Sequence, residues 1–300
     1  MAFLKTVELG SIRAAARALG QDPTGISRRI TQLETRLGAK LVDRSGAATR
    51  ATAQGQLYFD RLKGILDQLD ALEAEIGGET LHPSGLLRVT AAIDFGQEFL
   101  APWLVAFRDA HPDVEFDLVL ASGFVDLSQN NIDVAVRAGC LPDSSLVARK
   151  LADVPRVTVA SPDYVARRGM PRKPEDLAAH DFVFFSPANR AQPLELTGPD
   201  GAVVRVPRRR GVAINAVRSV VTAVQAGQGV HTGPRWAFAK QLASGAVLEL
   251  LPEYKAPGLP LYAVRQASVV VPARITHFID FLQARVQEVD GLLPVRPTVP

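Results

Sequence analysis

Residues 10–38, GSIRAAARALGQDPTGISRRITQLETRLG, decide the fold of the first part of the chain. Ser11 is placed to cap a short Ala-rich helix that runs from about Ile12 to Leu19, because its hydroxyl can accept from a free amide of the first turn. Gly20 then supplies the positive φ that a sharp turn between helices needs. The stretch therefore predicts one helix, a tight turn and a second helix.

The second helix is predicted to run from Pro23, a residue suited to the first helical turn, to a C-cap at Gly38. Its apolar residues recur every three or four positions, which is one face of an α-helix; they are Ile26, Ile30, Leu33 and Leu37. A small residue, a turn glycine and a buried aliphatic residue stand at the positions typical of a helix-turn-helix: Ala16, Gly20 and Ile26.

The other face of the second helix carries Thr24, Ser27, Arg28 and Arg29. Short polar groups at a helix N-terminus, with basic groups one turn on, suit a helix that lies in the major groove of DNA. An ordinary helical hairpin with a solvated polar face is the alternative.

A longer run, from Gly10 to Gly55, resembles the DNA-binding domain of the LysR-type transcriptional regulators. The family pattern is roughly G-S-F, A-A-A-x-x-L, S-Q-P-A-V-S-R-x-I-x-x-L-E-x-x-L-G, L-F-x-R and L-T-x-A-G. The matching residues are Gly10, Ser11, Ile12, Ala14 to Ala16, Leu19, Pro23, Ser27, Arg28, Ile30, Leu33, Glu34, Leu37, Gly38, Leu41, Arg44, Thr52 and Gly55. The resemblance continues more weakly through nearly all 300 residues.

The resemblance implies a winged helix-turn-helix that binds double-stranded promoter DNA. The predicted DNA-binding residues are Ser11, Asp22, Pro23, Thr24, Ser27, Arg28, Arg29, Arg44 and Arg50. Two of the positions depart from the pattern: Asp22 replaces a usual Gln, and Gly25 replaces a usual Ala at a cost of about 1 kcal/mol in helix propensity. MAFLKTVEL can form a first helix through Phe3, Leu4 and Val7, although the family normally has several residues before it.

The segment after Gly38, AKLVDRSGAATRATAQG, predicts two short β segments around Ser45-Gly46, which is a wing. Arg44 and Arg50 flank its tip, where they can contact phosphates or the minor groove. A solvated basic loop is the alternative. Charge supports DNA binding, since residues 1–55 hold nine Lys/Arg and four Asp/Glu, whereas residues 56–80 hold two and six.

Residues 54–76 predict one long helix with a heptad seam. The seam consists of Tyr58, Leu62, Ile65, Leu69, Leu72 and Ile76. The family pairs two chains through this helix, so the resemblance implies a homodimer or homotetramer. Gly77-Gly78 ends the helix, and GGETLHPSG is a hinge-like linker.

From Leu86 onwards, strands alternate with helices, which predicts βαβ units on a mainly parallel sheet. This part resembles the family's effector domain, a two-lobed α/β fold related to periplasmic binding proteins that closes on a small molecule. The whole chain is therefore predicted as an α+β multidomain protein. The predicted domains are a winged helix-turn-helix at 1–55, a dimerisation helix at 56–78, a hinge at 79–85, an effector domain at 86–291 and a disordered tail at 292–300. Lobe I takes 86–160 and 263–291, and lobe II takes 161–262.

Ligands of open α/β sheets collect beyond the carboxyl ends of the strands. The predicted effector-binding residues are Ala92, Ile93, Asp94, Phe95, Ser122, Gly123, Arg137, Asn215 and Ala216. Strand-end caps without ligand contact are the alternative for each of them, and Asn215 is also a candidate helix cap. Asp94 stands where related proteins often have Ser or Thr. It is predicted either to cap the helix that follows it or to line the pocket and repel anions.

Enzyme signatures are missing from the sequence. There is no G-x-S-x-G, H-E-x-x-H or Walker loop. GQGVHTG at 227–233 has Thr232 in place of the last glycine of G-x-G-x-x-G, and the five His show no metal-ligand spacing. No catalytic residue, metal or cofactor is predicted.

The single Cys140 excludes an internal disulfide and fits a reducing cytoplasm; it is interpreted as a small filler rather than a reactive thiol. No signal segment or membrane span is predicted, so no membrane partner is expected. The arginine run Arg208 to Arg210 is left unassigned. The prediction is a cytoplasmic transcriptional regulator with a small-molecule effector. The alternatives are a stand-alone solute-binding protein and a regulator that binds DNA without an effector.

Overall fold

The computed structural model describes residues 1–43, 49–77, 82–123, 125–127, 130–139, 146–186, 192–208, 210–268 and 271–295. The chain forms two compact units, one within residues 1–81 and the other within 82–269 and 273–300. They are called the head and the sensor here. Cys140 and the tip of the predicted wing lie outside the described residues.

The head is helical apart from one two-stranded antiparallel sheet. Its elements are α1 (Ala2–Leu9), α2 (Ile12–Ala18), α3 (Pro23–Leu37), β1 (Val42–Asp43), β2 (Arg50–Ala51) and α4 (Ala53–Gly77). The predicted caps are confirmed: Ser11 accepts from the amide of Ala14, and Gly20 and Gly38 have φ of 60° and 64°.

The head core lies where the three short helices meet the first turns of α4. Its buried residues include Phe3, Leu4, Ala16, Ile26 and Ile30. Leu33 is partly buried against this core as predicted. Leu37, the last residue of the apolar stripe, is 41% exposed. It lies in the last turn of α3, outside the core.

Thr52 and Gly55 fix the corner where the wing strand turns into α4. The hydroxyl of Thr52 donates to the carbonyl of Lys40 at 2.6 Å and accepts from the amide of Gly55 at 2.9 Å. A Cβ atom on Gly55 would lie 1.8 Å from the carbonyl oxygen of Leu41. The close approach of the two backbones therefore requires glycine at this position.

The sensor begins with a first lobe built on a mixed sheet. Its strands are β3 (Gly85–Ala91), β4 (Val114–Leu120), β5 (Val134–Ala138), β6 (Leu146–Ala160) and β13 (Ala256–Gln266). Its helical elements are α5 (Ile93–Phe95), a π-helical turn Gly96–Leu100, α6 (Ala101–Ala110), α10 (Ala273–Arg285) and a 3₁₀ turn Val286–Glu288. Phe107 of α6 packs edge-on to Phe278 of α10 at 5.3 Å, in the core of this lobe.

The strand order is β11-β6-β13-β5-β3-β4, where β11 is His231–Pro234. Two short strands, β12 (Leu248–Glu249) and β14 (Leu293–Pro294), also pair with β6. Among the described strands of this sheet, only β3 with β4 and β3 with β5 are parallel, so the prediction of a mainly parallel sheet was wrong. The long strand β6 and the returning strand β13 pair antiparallel, as do β13 and β5. The reason is the chain path: Leu146–Ala160 and Ala256–Gln266 flank the second lobe in the sequence and run in opposite directions.

The second lobe lies between β6 and β13 in the sequence. Its elements are α7 (Pro162–Arg168), a 3₁₀ turn Pro174–Ala179, β7 (Phe182–Phe184), β8 (Leu194–Thr197), β9 (Val203–Val206), β10 (Gly211–Ala213), α8 (Val217–Gln225), β11 (His231–Pro234), α9 (Arg235–Ala243) and β12 (Leu248–Glu249). Strands β7 and β10 pair in parallel, and β8 and β9 form an antiparallel pair.

Part of the predicted disordered tail is a strand. Leu293 and Pro294 form β14 and pair antiparallel with Asp153 and Ala152 of β6. The proline is tolerated because β14 pairs with a single strand among the described residues, as edge strands do. Residues 296–300 lie outside the described residues.

Candidate functional site

Helix α3 of the head separates a buried face from a polar face. Ile26 and Ile30 are fully buried, whereas Thr24, Arg28 and Arg29 are exposed. Ser27 is half-buried. The guanidinium of Arg29 donates to the side-chain oxygen of Gln21 at 2.8 Å. The polar face of α3 therefore presents hydroxyl and guanidinium donors to solvent.

The N-terminal end of α3 is closed by Asp22, whose carboxylate accepts from the amide of Gly25 at 3.0 Å. The sequence reasoning placed Asp22 among the DNA-binding residues but missed this cap. Pro23 occupies the first turn and is exposed. The oxygen of Ser11 is engaged in capping α2, at 3.3 Å from the amide of Ala14.

Glu34 joins α3 to the wing, a role that the sequence reasoning did not assign. Its Oε1 accepts from the amides of Leu41 and Val42 at 2.8 and 3.3 Å, and Lys40 lies 3.5 Å from Oε2. Burial opposes ionisation of Glu34, but the two amides and Lys40 outweigh it, so the pKa of Glu34 is lowered. The buried carboxylate holds the wing strand against the helix.

The wing consists of β1 and β2, with Asp43 paired to Arg50 and Val42 paired to Ala51. Arg50 is exposed. Arg44, with the predicted wing tip at Ser45 and Gly46, lies outside the described residues.

The predicted seam of α4 divides into two parts. Tyr58 and Leu62 pack against the head core, and the Tyr58 ring lies 5.7 Å from that of Phe3. Ile65 and Leu69 are 61% and 45% exposed. The side chains of Leu72 and Ile76 lie outside the described part of the chain. An exposed Ile and Leu four residues apart form an apolar stripe on the helix surface.

The sensor holds a cavity of about 800 Å³. All nine predicted effector-binding residues line it: Ala92, Ile93, Asp94, Phe95, Ser122, Gly123, Arg137, Asn215 and Ala216. The first seven belong to the strand ends of the first lobe, and Asn215 and Ala216 precede α8 of the second lobe. The size suits a small organic molecule.

Asp94 caps a helix of the other lobe. Its Oδ2 and Oδ1 accept from the amides of Val217 and Arg218 at 2.9 and 3.1 Å. The prediction that Asp94 caps the helix that follows it was wrong, because α5 has no side-chain cap. The cap suggested for Asn215 was also wrong, since the N-cap residue of α8 is Ala216. The partner of Asp94 is 123 residues away, beyond the reach of a local capping pattern.

Glu98 reinforces this contact between the lobes. It accepts from the ammonium of Lys240 at 2.8 Å and forms an ion pair with Arg218. The hydrogen bond from Lys240 is the main reason why the pKa of Glu98 is lowered. The π-helical turn that carries Glu98 is thereby tied to α8 and α9.

Arginines that the sequence reasoning did not assign also line the cavity. Arg156 on β6 donates to the carbonyl of Thr232 at 3.0 Å, and Arg208 donates to the carbonyl of Gln192 at 2.9 Å. Burial lowers the pKa of Arg156, and burial together with the charge of Arg156 lowers that of Arg208. One signal was available in the sequence: an arginine opens the apolar strand RVTVA.

Arg137 lies on the first-lobe side of the same cavity and is almost fully buried. It donates to the carbonyl of Ala121 and the hydroxyl of Thr90, both at 3.2 Å. Burial lowers the pKa of Arg137. Its position at the end of β5 is the one predicted for it.

His231 lies in the second-lobe wall of the cavity and is buried. Burial lowers its pKa from 6.5 to about 4, despite a 2.7 Å hydrogen bond between its Nδ1 and the carbonyl of Val183. The imidazole is therefore neutral at neutral pH, and Nδ1 carries the proton because a carbonyl can only accept.

Comparison with known proteins identifies the family to which the chain belongs. Residues 1–56 match the family model described as the bacterial regulatory helix-turn-helix protein, lysR family. Residues 81–287 match the LysR substrate binding domain. The chain belongs to the LysR family. It is a DNA-binding transcriptional regulator with an effector domain, and LysR-family regulators are not enzymes.

Curated LysR-family relatives align over most of the chain. The transcriptional activator AaeR of Escherichia coli (strain K12) is 30% identical over 97% of this chain and 94% of its own length. The regulator CrgA of Neisseria meningitidis serogroup C is 30% identical over 93% of both. These relatives are regulators, so the alternative of a stand-alone solute-binding protein was wrong.

Solved LysR-family structures share the fold. The structure of CrgA from Neisseria meningitidis is 28% identical with a TM-score of 0.60, covering 94% of this chain and 96% of that one. The full-length virulence activator AphB of Vibrio cholerae is 26% identical with a TM-score of 0.60, covering 94% and 97%. LysR-family regulators bind promoter DNA and small-molecule effectors and assemble as oligomers.

None of the helices that the structure describes is long and apolar enough to cross a membrane. No group of His, Cys, Asp and Glu among the described residues could hold a metal ion.

Proposed function

We propose that this regulator reads promoter DNA with the exposed N-terminal half of α3 and responds to a small molecule in the sensor cavity. The observation that carries the DNA part is the two-sided burial of α3, with Ile26 and Ile30 fully buried and Thr24, Arg28 and Arg29 exposed. A helix fixed by its apolar side presents its donors without reorganisation, as base recognition in the major groove requires.

The remaining DNA contacts are assigned to the two ends of the motif. Ser11, Asp22 and Pro23 lie at the starts of α2 and α3, and Arg50 lies on the wing strand. Arg50, and Arg44 as the sequence predicts, bind the sugar–phosphate backbone, while Ser11, Asp22 and Pro23 fix the helix starts that set the register of α3. The DNA-binding domain is assigned to residues 1–55 of the head, followed by the dimerisation helix at 56–78 and the hinge at 79–85.

The effector part rests on the cavity between the lobes. Its nine predicted residues come from separate strand ends, and Asp94 and Glu98 connect the lobes through α8 and α9. A ligand that binds one arrangement of the lobes more tightly than another shifts the population towards it. The protein acts in the cytoplasm as a homodimer or homotetramer, whose pairing uses the exposed Ile65 and Leu69 of α4.

Footprinting on the DNA upstream of the regulator's own gene tests the proposal. Arg28→Ala should weaken binding by about tenfold or more, the loss of one base-edge contact. Arg36→Ala is the matched control, because Arg36 is exposed in the last turn of the same helix. Equal losses for both variants, or footprints unchanged by Arg28→Ala, would contradict the assignment of α3 as the reading helix.

A further inference from the structure

Two carboxylates of the first lobe hold two helices of the second lobe at the edge of the cavity. Asp94 of α5 and Glu98 of the π-helical turn lie about one helical turn apart. Asp94 accepts from the amides of Val217 and Arg218 at the start of α8. Glu98 accepts from Lys240 of α9 at 2.8 Å and forms an ion pair with Arg218. These five residues are called the clasp here, and each of its contacts joins an acceptor of the first lobe to a donor of the second.

The clasp begins at the cavity wall and extends outward to solvent. Asp94 and Val217 line the cavity, as does Ala216, which precedes α8. The side chains of Arg218 and Lys240 are largely exposed to solvent. Separation of the two lobes at this edge would therefore open the cavity.

Asp94 supplies the cap of α8 from the other lobe. Val217 and Arg218 are the first two residues of α8, whose N-cap residue, Ala216, has no side-chain acceptor. The first amides of an α-helix lack carbonyl acceptors within the helix, and a carboxylate is favourable there. The cap is therefore present while the lobes are together and is lost when they separate.

Aromatic rings from the two lobes pack beside the clasp. Phe95 and Phe99 of the first lobe meet Trp236 of α9 edge to face, with ring centres 5.9 and 5.4 Å apart. Edge-to-face packing of this kind is favourable beyond the apolar area that it buries. All these groups belong to the chain itself, so contact between the lobes needs no ligand to bridge them.

We propose that the clasp is a gate, which holds the lobes together in the ligand-free sensor and must release α8 before a small molecule enters the cavity. The sensor then exchanges between a closed majority and an open minority, and the rate of entry follows the open fraction. Binding that requires such a conformational step is slower than binding to a preformed open site. The inference rests on the proposed role of the cavity as the effector site.

Amide hydrogen exchange of the full-length protein, resolved to single residues, tests whether the clasp opens as one unit. Glu98→Gln removes the ion pairs but leaves the bonds from Val217 and Arg218 to Asp94 in place. If all contacts break together, these two amides should nevertheless exchange roughly two- to fivefold faster in this variant, the factor expected for exposed ion pairs. Unchanged exchange of the two amides would overturn the gate.

Stopped-flow binding of N-phenyl-1-naphthylamine, an uncharged dye that fluoresces in apolar surroundings, tests entry into the cavity. Excitation of the tryptophans restricts the signal to dye bound near them, and Trp236 lines the cavity. The association rate constant should rise at least about fivefold in Asp94→Ala, the factor given by loss of an ordinary N-cap. Glu195→Gln is the matched control and should leave the rate unchanged, because Glu195 also lines the cavity but pairs with Arg205 of its own lobe.

Dye entry that is no faster in Asp94→Ala than in wild type, or no dye binding by either protein, overturns the gate even if amide exchange has risen. Thermal unfolding shows whether each variant is folded. Asp94→Asn, which keeps a capping oxygen and should give a smaller rise in the rate, replaces Asp94→Ala if that variant does not fold. Footprinting of the same proteins separates the two failures: DNA protection without faster dye entry refutes only the gate, and absent DNA protection by wild type refutes the proposed function.

Discussion

Glu34 should hold the DNA-binding head together through one oxygen atom rather than through its charge. Both buried amides, those of Leu41 and Val42, donate to Oε1, while Lys40 contacts Oε2. Glu34→Ala would leave the two amides without this acceptor. At about 1–3 kcal/mol for each stranded buried donor, the head should lose roughly 2–6 kcal/mol of stability.

Glu34→Gln is the matched variant, because the amide side chain keeps an oxygen in the Oε1 position. It loses the ion pair with Lys40, whose side chain is 79% exposed. An ion pair with so exposed a partner is worth about 0–1 kcal/mol. The expected order is therefore wild type, then Glu34→Gln slightly less stable, then Glu34→Ala far less stable.

Hydrogen exchange followed by mass spectrometry is the assay, since both tryptophans lie in the sensor and do not report on the head. Peptides from residues 23–43 should exchange much faster in Glu34→Ala and nearly normally in Glu34→Gln. Equal acceleration in both variants would refute the reasoning, because it would make the charge, not the acceptor, the stabilising element.

The pH dependence of wild type gives a second check on Glu34. Because the pKa of Glu34 is lowered on folding, its contribution is complete above about 4.5 and is lost as the pH falls through the folded value. The Glu34→Gln variant should lack this part of the acid sensitivity of the head. Identical acid profiles for the two proteins would contradict the lowered pKa.

Three further predictions concern other parts of the chain. Gly55→Ala should destabilise the head by at least about 3 kcal/mol and abolish footprints, because the new Cβ atom would lie 1.8 Å from the carbonyl oxygen of Leu41. In the control variant Gly64→Ala on the same helix, the new Cβ atom has no neighbouring atom within 4 Å, so this variant should be about 1 kcal/mol more stable. Folding lowers the pKa of His231 from 6.5 to about 4, so between pH 7 and 4 the free energy of unfolding of the sensor should fall by roughly 3 kcal/mol more in wild type than in His231→Gln. Parallel curves of unfolding free energy against pH for the two proteins would disprove this. Leu69→Asp places a charge on the exposed stripe of α4 and should shift the mass measured by light scattering towards the monomer; an intact oligomer would contradict the seam.

Local sequence patterns were sufficient to predict the structure wherever the stabilising contacts join residues a few positions apart. Ser11 and Gly20 cap and turn the first helices, and Ile26 and Ile30 form the buried stripe that their spacing predicts. Strand ends likewise indicated the lining of the cavity, since parallel strands end at the same edge of a sheet. Each of these features follows from helix periodicity, capping or chain direction.

Tertiary structure alone decided the pairings between distant segments. Asp94 caps a helix 123 residues away, and Arg156 and Arg208 both line the cavity although neither belongs to a local motif. Tyr58 follows a heptad pattern but packs into the head core, because α4 starts against the other helices. A sequence pattern shows which face of a helix or strand is apolar, but the segment that packs against that face depends on the tertiary fold of the whole chain.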